Sequence, residues 1–530
     1  MPDARTTSPQ THLFGFSRSS VPLWVSLSSG ILMSLAAAPL NWWWFAWVGL
    51  VPLWVIARTQ LEKKCPVNAK VIVCAFAWGG GYHGLTLSWI LGLHPLTWMG
   101  VPWLASVAIA VFCWVFITLW GTVTTIVWVW VMARIGDIVL GTALWCGLEF
   151  LLSLTPLSWT SLSFTQSPSN LLILHLGQLS GPLTITAAIV AVNGLLAEAW
   201  LKRNWQMEHP TLRANQFSRS VWGHLMAALV IIVTTHLIGF GLYHQPLNDV
   251  EFNAVKIGIV QGNIPTREKL SSVGIQRAIQ RYVGGYKVLV AQGVDAVLTP
   301  EGALPFLWNP DHNPFRQAVA ETGVAAWLGS FFPENGQITQ SLLSLDARGE
   351  VVGRYNKIKL VPLGEYIPFQ ETLGRLITRL SPIKSSMVPG EIDQRFETPF
   401  GRAIASICYE SVFPELFRMQ AVAGGELILT ASNLDPYSEV LMAQHQAHDL
   451  MRAIETNRWA ARATNTGYSG VIDPHGRIVW RSQPHTYQTH AATIYRRQAQ
   501  SFYVRWGDWL TPLLIAVAIA LQTIQRFRQI

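Results

Sequence analysis

The chain has 530 residues, of which 50% are hydrophobic and only 13% are charged. About a quarter of the residues in a soluble domain are charged, so this composition excludes an entirely soluble protein. The formal net charge is +8, but the basic residues are scattered over separate loops, which argues against nucleic-acid binding. The 5 cysteines lack the spacing of a disulfide framework or a zinc site. A membrane protein is the class that remains.

Residues 1–20 are polar and lack a cleavage-site pattern, so we interpret them as a cytoplasmic tail rather than a signal peptide. Seven apolar segments follow this tail, and an eighth lies near the end of the chain. Each is close to the ~20 residues that a helix needs to cross the hydrocarbon core. The predicted transmembrane segments are 21–38, 40–57, 71–93, 102–132, 138–154, 176–200, 221–243 and 508–525.

Lysine and arginine are distributed unevenly among the loops that join these segments. Loops 94–101 and 155–175 contain neither residue, whereas the alternate loops and the C-terminal tail are basic. Because positively charged loops stay in the cytoplasm, both termini are predicted to be cytoplasmic and residues 244–507 to lie outside. The residues that carry this prediction are Arg58, Lys63, Lys64, Lys70, Arg134, Lys202, Arg203, Arg213, Arg219, Arg526 and Arg528.

A few polar side chains interrupt the apolar half. Glu149 lies in the fifth segment, where an ionised group costs several kcal/mol unless it is paired or faces a cavity. A structural partner and a substrate role are both open for it. His83 and His175 are interpreted as hydrogen-bonded packing residues, and the tryptophan runs at 42–47 and 128–130 as interfacial anchors.

Beyond residue 250 the composition changes to short apolar runs separated by turn residues. Predicted strands alternate with predicted helices, and turn residues at 347–349 and 473–476 indicate hairpins. This order indicates a layered α/β domain with buried sheets. The predicted strands are 255–260, 296–299, 324–328, 342–346, 351–355, 402–407, 427–430, 464–472 and 478–480, and the predicted helices are 275–291 and 440–458.

Cys408 stands at a predicted turn between a strand and a helix. Glu410, Ser411 and Pro414, which follow it, are residue types that begin helices. A side chain at such a turn lies at the edge of a sheet, where the positive end of the helix favours a thiolate or an oxyanion. The alternative for a lone cysteine is a buried structural residue.

Two other polar residues of this domain also follow predicted strands, namely Glu301 and Lys357. A thiol that attacks a carbonyl needs a base for its proton, and a carboxylate can serve. The tetrahedral intermediate needs a cation or N–H donors, which Lys357 and the backbone N–H of Tyr409 can supply. Taken singly, Glu301 and Lys357 are also compatible with ordinary surface charges.

Five stretches of this domain share a pattern with known enzymes: TPEGALPF (299–306), YNKIKLVPLGEYIPF (355–369), ICYESVFPE (407–415), MRAIETNR (451–458) and RATNTGYSGVIDPHG (462–476). They resemble the nitrilase superfamily and, within it, the membrane branch of apolipoprotein N-acyltransferases. That family has eight spans around one nitrilase domain, so the resemblance covers nearly the whole chain. It implies an αββα sandwich with Glu301 as base, Lys357, and Cys408 as nucleophile.

The same resemblance implies the roles of neighbouring residues. Lys357 rather than Lys359 matches the family, because it keeps the family's spacing to Glu365. Tyr409 and Glu410 match further active-site positions, for substrate or oxyanion contacts or for support of the triad.

The implied reaction has two halves. Cys408 takes the sn-1 acyl chain of a membrane phospholipid as a thioester, and the α-amine of a diacylglyceryl-cysteine at a lipoprotein N-terminus then attacks it. No metal or other cofactor is required, and nucleic acid is not a partner. The implied protein is a monomer of the bacterial cytoplasmic (inner) membrane with its catalytic domain on the periplasmic side.

Three parts of the chain are therefore expected: a transmembrane domain of about seven helices at 1–243, a nitrilase-like catalytic domain at 251–500, and a C-terminal transmembrane helix with a cytoplasmic tail at 508–530. Two alternatives stay open. One is a membrane-anchored nitrilase-type amidase that uses water as acceptor, and the other is a non-catalytic membrane scaffold or lipid-binding protein.

The chain departs from the family in three places. Residues 434–439, the lid segment, read LDPYSE where the family has an aromatic Asp-x-Trp-Phe-Gly sequence. Leu270 stands where a tryptophan is usual, and the arginine expected soon after Glu149 is missing. Polar groups bury poorly in lipid, so the lid segment with Asp435 and Glu439 is expected above the acyl chain, near the donor headgroup or the acceptor amine.

The helix predicted at 440–458 follows the lid segment, and its Gln444 and His445 match the family. His445 and His448 lie three residues apart, a spacing compatible with a metal site. A hydrogen-bonded helix face is the interpretation that we favour for the two histidines.

Overall fold

The structure, a computed structural model, describes residues 21–62, 67–208, 214–362, 364–366, 387–435 and 437–528, with the backbone alone at 205–208 and 214–218. The predicted tail at 1–20 and the basic residues Lys63, Lys64 and Arg213 lie outside the described residues. The apolar half is helical, because backbone groups in an apolar environment must pair within their own segment. Its helices are α1 (Val21–Leu35), α2 (Val51–Glu62), α3 (Ala69–Thr86), α4 (Trp103–Ile135), α5 (Ile138–Leu154), α6 (Leu171–Leu174), α7 (Gly177–Ser180), α8 (Leu183–Glu208) and α9 (Ala214–Tyr243).

Two of the predicted segments start later than expected. The second was predicted from residue 40, but α2 begins at Val51, because Asn41 has a left-handed φ of 60° and a short 3-10 helix, Trp43–Trp47, comes first. The sixth was predicted from residue 176, but α8 begins only after Gly181, whose φ is 76°. Both breaks come at residues that tolerate positive φ.

The remainder of the chain is an α/β domain followed by one apolar helix. Two six-stranded sheets run in the orders β12-β1-β2-β3-β4-β5 and β11-β10-β9-β8-β7-β6. The strands are β1 (Ala254–Gln261), β2 (Ala296–Leu298), β3 (Ala325–Glu334), β4 (Gln337–Leu345), β5 (Val351–Asn356), β6 (Phe396–Thr398), β7 (Gly401–Ile407), β8 (Ile428–Ser432), β9 (Ala460–Thr464), β10 (Gly470–Ile472), β11 (Ile478–Arg481) and β12 (Gln488–Tyr495). The helices are α10 (Thr266–Lys269), α11 (Ser272–Ala291), α12 (Pro314–Thr322), α13 (Pro414–Val422), α14 (Glu439–Thr456), α15 (Phe502–Trp506) and α16 (Leu510–Phe527).

The two sheets pack face to face, with helices on their outer sides. One continuous core joins Ile257 and Trp327 of the first sheet to Leu429 of the second. A separate core lies between the opposite face of the first sheet and α11 and α12. The second sheet is covered by α13 and α14. The domain is therefore the expected αββα sandwich.

Several elements of this domain differ from the prediction. The predicted strand 464–472 is two antiparallel strands, β9 and β10, because residues 465–469 form a turn between them. Strand β12 was missed, although it pairs with β1 along eight residues. The hairpin of β3 and β4 was also missed, although Asn335 and Gly336 at its turn both have positive φ, as a tight hairpin turn requires.

Among the described residues, α4, the 183–204 part of α8, the 219–243 part of α9, and α16 are long and apolar enough to cross a membrane. Helix α5 indicates how the α/β domain sits on the helices. Arg58 donates to the carbonyl of Gly136 just before α5 begins, whereas Tyr409 of the α/β domain donates to the carbonyl of Pro156 just after α5 ends. The 17 residues of α5 separate these two contacts by roughly 25 Å. The α/β domain thus lies on the side of a loop without lysine or arginine, away from basic Arg58.

Candidate active site

Glu301 is held at the end of β2 by a close crossing of two backbones. The amide of Ala303 donates to the carbonyl of Gly329 in β3 at 2.9 Å. A Cβ at Gly329 would lie 2.0 Å from the carbonyl oxygen of Pro300, so this crossing requires glycine. Glu301 is buried, with 8% of the residue exposed.

Lys357 comes directly after β5, where its amide extends the sheet by donating to the carbonyl of Gln340 at 2.8 Å. Its ammonium is 2.9 Å from Oε1 of Glu301 and 2.6 Å from Oε1 of Glu365. The other carboxylate oxygen of Glu365 accepts from the amide of Val361 at 2.8 Å. Two carboxylates therefore share one lysine that is only 1% exposed.

Cys408 directly follows β7 and begins a five-residue 3-10 helix, Cys408–Val412. Its φ is +52°, a left-handed value that is uncommon for any residue other than glycine and costs of order 1 kcal/mol or more. Its thiol lies 3.9 Å from the carbonyl oxygen of Asn433. The amide of Asn433 in turn donates to Oε2 of Glu301 at 2.9 Å. Asn433 thus links the candidate base to the candidate nucleophile.

The carboxylate of Glu410 holds the turn at Cys408 in place through hydrogen bonds. It is fully buried, and one of its oxygens accepts from the amides of Ile358 and Lys359 at 2.6 and 3.2 Å. Its other oxygen accepts from the amide of Ile407 at 2.7 Å and from the hydroxyl of Tyr355 at 3.1 Å. Glu410 therefore ties the segment after Lys357 to the segment that carries Cys408.

Burial and neighbouring charges determine the protonation states of Cys408 and Lys357 in the resting site. Burial and, to a smaller extent, the charge of Glu301 raise the pKa of the Cys408 thiol to about 12 against the opposing effect of Lys357. Burial disfavours the charge on Lys357, but Glu301 and Glu365 outweigh it and raise its pKa well above the ordinary value. The resting pair is therefore a neutral thiol beside a protonated lysine. Of the two species that the helix end was expected to favour, a thiolate or an oxyanion, the thiolate is not the resting form, because burial of the thiol outweighs the effect of so short a helix.

Sequence reasoning missed Lys269 as well as Asn433. Lys269 is buried in α10, and its ammonium lies 3.4 Å from the backbone carbonyl oxygen of Glu301. Burial lowers the pKa of Lys269 to about 8, although Glu301 and Asp435 favour its charge. The feature of the sequence that could have identified Lys269 is its position shortly after β1, since α10 follows the end of that strand.

Tyr409 places the site at the junction with the helical domain. Its hydroxyl donates to the carbonyls of Pro156 and Ser158 at 2.6 and 3.2 Å, and its ring stacks on Trp159 with 6.0 Å between centroids. Trp159 donates to Gln444 of α14 at 2.8 Å. The residue after Cys408 is therefore in direct contact with the loop that follows α5.

The lid segment bridges the two domains. Leu434 is buried, and Asp435 Oδ2 accepts from the amide of Thr266 at 2.6 Å. Tyr437 meets Trp89 of the helical domain edge to face, with 5.4 Å between ring centroids. Its expected position above an acyl chain stays a prediction. Residue Pro436 lies outside the described residues.

The remaining polar candidates of the sequence are in contact with other protein side chains. Glu149 accepts from Trp145, from the amide of Leu162 and from Thr186 at 2.8 to 2.9 Å, which favours its structural interpretation. His445 accepts from Arg462 at 2.9 Å. The hydrogen-bonded helix face is therefore confirmed for His445. His448 instead stacks on Phe164, and its Nε2 is buried without a hydrogen-bond partner among the described residues. In the part of the chain that the structure describes, no three His, Cys, Asp or Glu side chains are grouped as metal ligands.

Comparison with known proteins identifies both halves of the chain. The profile of the apolipoprotein N-acyltransferase N-terminal domain matches residues 29–195, and the carbon-nitrogen hydrolase profile matches residues 256–503. The apolipoprotein N-acyltransferase of Nostoc sp. (strain PCC 7120) is 51% identical over 92% of this chain and 96% of its own length. That of Synechocystis sp. (strain PCC 6803) is 46% identical over 92% of this chain and 97% of its own.

A solved amidase from Nesterenkonia sp. is 19% identical, with a TM-score of 0.37 over 49% of this chain and 95% of its own. This similarity is too weak to carry structural detail. The two relatives, in contrast, are matched along nearly their whole length. The chain belongs to the apolipoprotein N-acyltransferase family, and its α/β domain is the carbon-nitrogen hydrolase domain of the nitrilase superfamily.

Proposed function

We propose that the chain N-acylates lipoproteins through a thioester on Cys408. The donor is a membrane phospholipid, and the acceptor is the α-amino group of the N-terminal diacylglyceryl-cysteine of a lipoprotein. The observation that carries this assignment is the buried ion pair of Glu301 and Lys357, which meets Cys408 through Asn433 at the junction with the helical domain. A base, a cation and a thiol at one apolar boundary suit acyl transfer from a lipid.

In the first half-reaction Glu301 takes the proton of the Cys408 thiol as sulfur attacks the sn-1 carbonyl carbon. A base is needed because the thiol pKa of about 12 leaves almost no thiolate at neutral pH. The ester C–O bond then breaks, and the proton passes to the glycerol oxygen. The products are a lysophospholipid and an acyl-Cys408 thioester.

In the second half-reaction the acceptor amine attacks the thioester carbonyl. Glu301 takes a proton from the amine, the C–S bond breaks, and Cys408 recovers a proton to become a thiol again. The product is an amide, which completes the triacylated lipoprotein. A thioester suits this step because amines displace a thiolate leaving group readily.

Each half-reaction passes through a tetrahedral oxyanion that needs a positive partner. Lys357 stays protonated between Glu301 and Glu365, so its ammonium is available as a fixed charge. The backbone N–H of Tyr409 is the second donor of the proposal. Glu410 supports both, since its carboxylate holds the segments that carry them.

We propose the three parts 1–243, 251–500 and 508–530 as the membrane domain, the catalytic domain, and the C-terminal helix with its tail. The profile match at 256–503 supports the second part. The contact of Tyr409 with Pro156, about 25 Å along α5 from Arg58, supports a catalytic domain on the periplasmic face of a bacterial inner membrane, with cytoplasmic termini and eight spans. We propose a monomer, because one chain supplies every group that the reaction uses.

Product analysis tests the function. The purified protein is mixed with phospholipid and a diacylglyceryl-cysteine peptide. The lipid and peptide products are then identified and quantified by mass spectrometry. We expect one lysophospholipid for each triacylated peptide. Lysophospholipid with free fatty acid and an unaltered peptide would instead identify a hydrolase that uses water as acceptor.

A further inference from the structure

The left-handed turn at Cys408 is also held by a hydrogen bond of Ser411, which has no role in the mechanism proposed above. Ser411, three residues after Cys408, is fully buried, and its hydroxyl donates to Oδ1 of Asp449 at 2.6 Å. Asp449 lies in α14, beneath the 3-10 helix that Cys408 begins. A turn with strained backbone persists only where its surroundings hold it in place.

Asp449 is part of a longer buried chain of polar side chains. Its other oxygen pairs with Arg462 of β9. Arg462 also donates to Nδ1 of His445 at 2.9 Å and to the carbonyl of Tyr468 at 2.9 Å. Burial and the charge of Arg462 lower the pKa of His445 well below its ordinary value, so His445 is neutral and Nδ1 accepts. Asp449, Arg462 and His445 are each at most 2% exposed.

Stability alone does not explain a buried ion pair such as that of Asp449 and Arg462. Removing an ion pair from water costs several kcal/mol per charge, and apolar replacements are often as stable. What the pair does provide is a fixed geometry, because each member has one set of partners. Here the geometry fixes Ser411 relative to β9, and hence fixes the turn that carries Cys408 and the N–H of Tyr409.

We propose that Ser411, Asp449 and Arg462 form a positioning chain that holds the Cys408 turn and the Tyr409 N–H in reactive orientation. The proposal rests on the function assigned to Cys408 above. Glu410 ties the turn to the segment after Lys357, whereas this chain ties it to the second sheet and to α14. The two attachments act on opposite sides of the same five residues.

Loss of the positioning chain is expected to change the rates of the two half-reactions. Both half-reactions use the same sulfur and the same oxyanion donors, so a misplaced turn slows both by the same factor. Because the turn supplies groups that act on the reacting carbonyl, we expect the KM for phospholipid to change less than the two rate constants. A residue that only stabilised the fold would lower the amount of active protein and leave the rate constants of the folded fraction alone.

The experiment measures single-turnover thioester formation by intact mass, and then its aminolysis by a diacylglyceryl-cysteine peptide. Ser411→Ala removes only a buried hydroxyl. We expect it to slow both steps by roughly 10-fold, as loss of a buried hydrogen bond to a charged group implies. The double variant Ser411→Ala with Asp449→Ala should be no slower than Asp449→Ala alone, because both act through one link.

Thr456→Val is the matched control. Thr456 is another buried hydroxyl of α14, but it donates to the carbonyl of Arg452 and does not contact the turn. We expect wild-type rates from it. Equal thioester formation by Ser411→Ala and wild type, or slowing of only one half-reaction, would overturn the positioning chain. Absence of any thioester on wild-type Cys408 would instead overturn the proposed function, so the two failures are distinguishable.

Discussion

The ammonium nitrogen of Lys357 lies 2.9 Å from a carboxylate oxygen of Glu301, and neither side chain is more than 10% exposed. Breaking such a pair is strongly destabilising, since removal of one partner leaves an uncompensated buried charge. Lys357 also pairs with Glu365, so its ammonium lies between two carboxylates. In the proposed mechanism the pair supplies both the base, Glu301, and a cation for the oxyanion, Lys357.

Substitutions in the candidate triad should have the largest effects on activity. Cys408→Ala should abolish both thioester formation and turnover, because no nucleophile remains. Glu301→Gln and Lys357→Ala should each lower the rate at least ~100-fold, through loss of the base or of oxyanion stabilisation. The measurement is the rate of lysophospholipid release by variants that insert and fold normally.

Lys359→Ala is the matched control for Lys357. Its ammonium lies over the ring of Phe413, 4.8 Å from the centroid, and is not in either of the Lys357 ion pairs. We expect a much milder effect than at Lys357. Equal losses at the two lysines would contradict the choice of Lys357.

The high thiol pKa predicts how Cys408 reacts with a small alkylating reagent. Burial and Glu301 raise this pKa to about 12, so the thiolate fraction should grow about 10-fold per pH unit across the neutral and alkaline range. We expect slow alkylation by iodoacetamide at about pH 7 and a rate that still rises at about pH 10. The adduct on Cys408 is followed by mass. A rate that is already level near neutrality would indicate a resting thiolate paired with Lys357.

Exchange of the lid segment should alter substrate preference and leave the attack of Cys408 nearly intact. Asp435 holds this segment to Thr266, and Tyr437 packs against Trp89, so the segment lies between the domains. Its described residues make no hydrogen bond to Glu301 or Lys357. With an aromatic family-like sequence at 434–439, thioester formation should stay within ~10-fold, about 1.4 kcal/mol of barrier. Donor headgroup or acceptor preference, measured by competition, should shift. A loss of thioester formation well beyond that range would place the segment in the chemistry.

The orientation of the chain can be tested with reporter fusions. A reporter that is active only outside the cytoplasm should be active when fused near Gln340 and inactive when fused near Met207. The physical reason is the basic character of the loops on one side and its absence at 94–101 and 155–175. The reverse pattern of activity would place the catalytic domain in the cytoplasm and contradict the proposed topology.

The strand ends that carry chemistry could be predicted because their sequences are locally consistent. The run that becomes β7 alternates in sequence and is buried from Ala403 to Ile407, and β5 ends directly before Lys357. Strand β12 could not be found in this way. Its sequence QTHAATIY is largely polar, and only its pairing with β1 along the sheet edge makes it a strand.

The supporting groups of the site could not be predicted for a related reason. Asn433 acts through its backbone amide, which any residue type would supply, so its sequence carries no signal. The link from Ser411 to Asp449 spans 38 residues and depends on how α14 crosses the second sheet. Contacts of this kind follow from tertiary packing, and no periodicity in one segment encodes them.

The central claim is that Cys408 carries the acyl chain between donor and acceptor, and its most direct test is the mass of the protein itself. After exposure to phospholipid alone, intact and peptide mass spectrometry should show one acyl group on Cys408, sensitive to hydroxylamine as a thioester is. A diacylglyceryl-cysteine peptide should then remove the acyl group and appear as the triacylated product. An unmodified Cys408, or an acyl group whose loss is not accelerated by the peptide and yields only free fatty acid, would contradict the account.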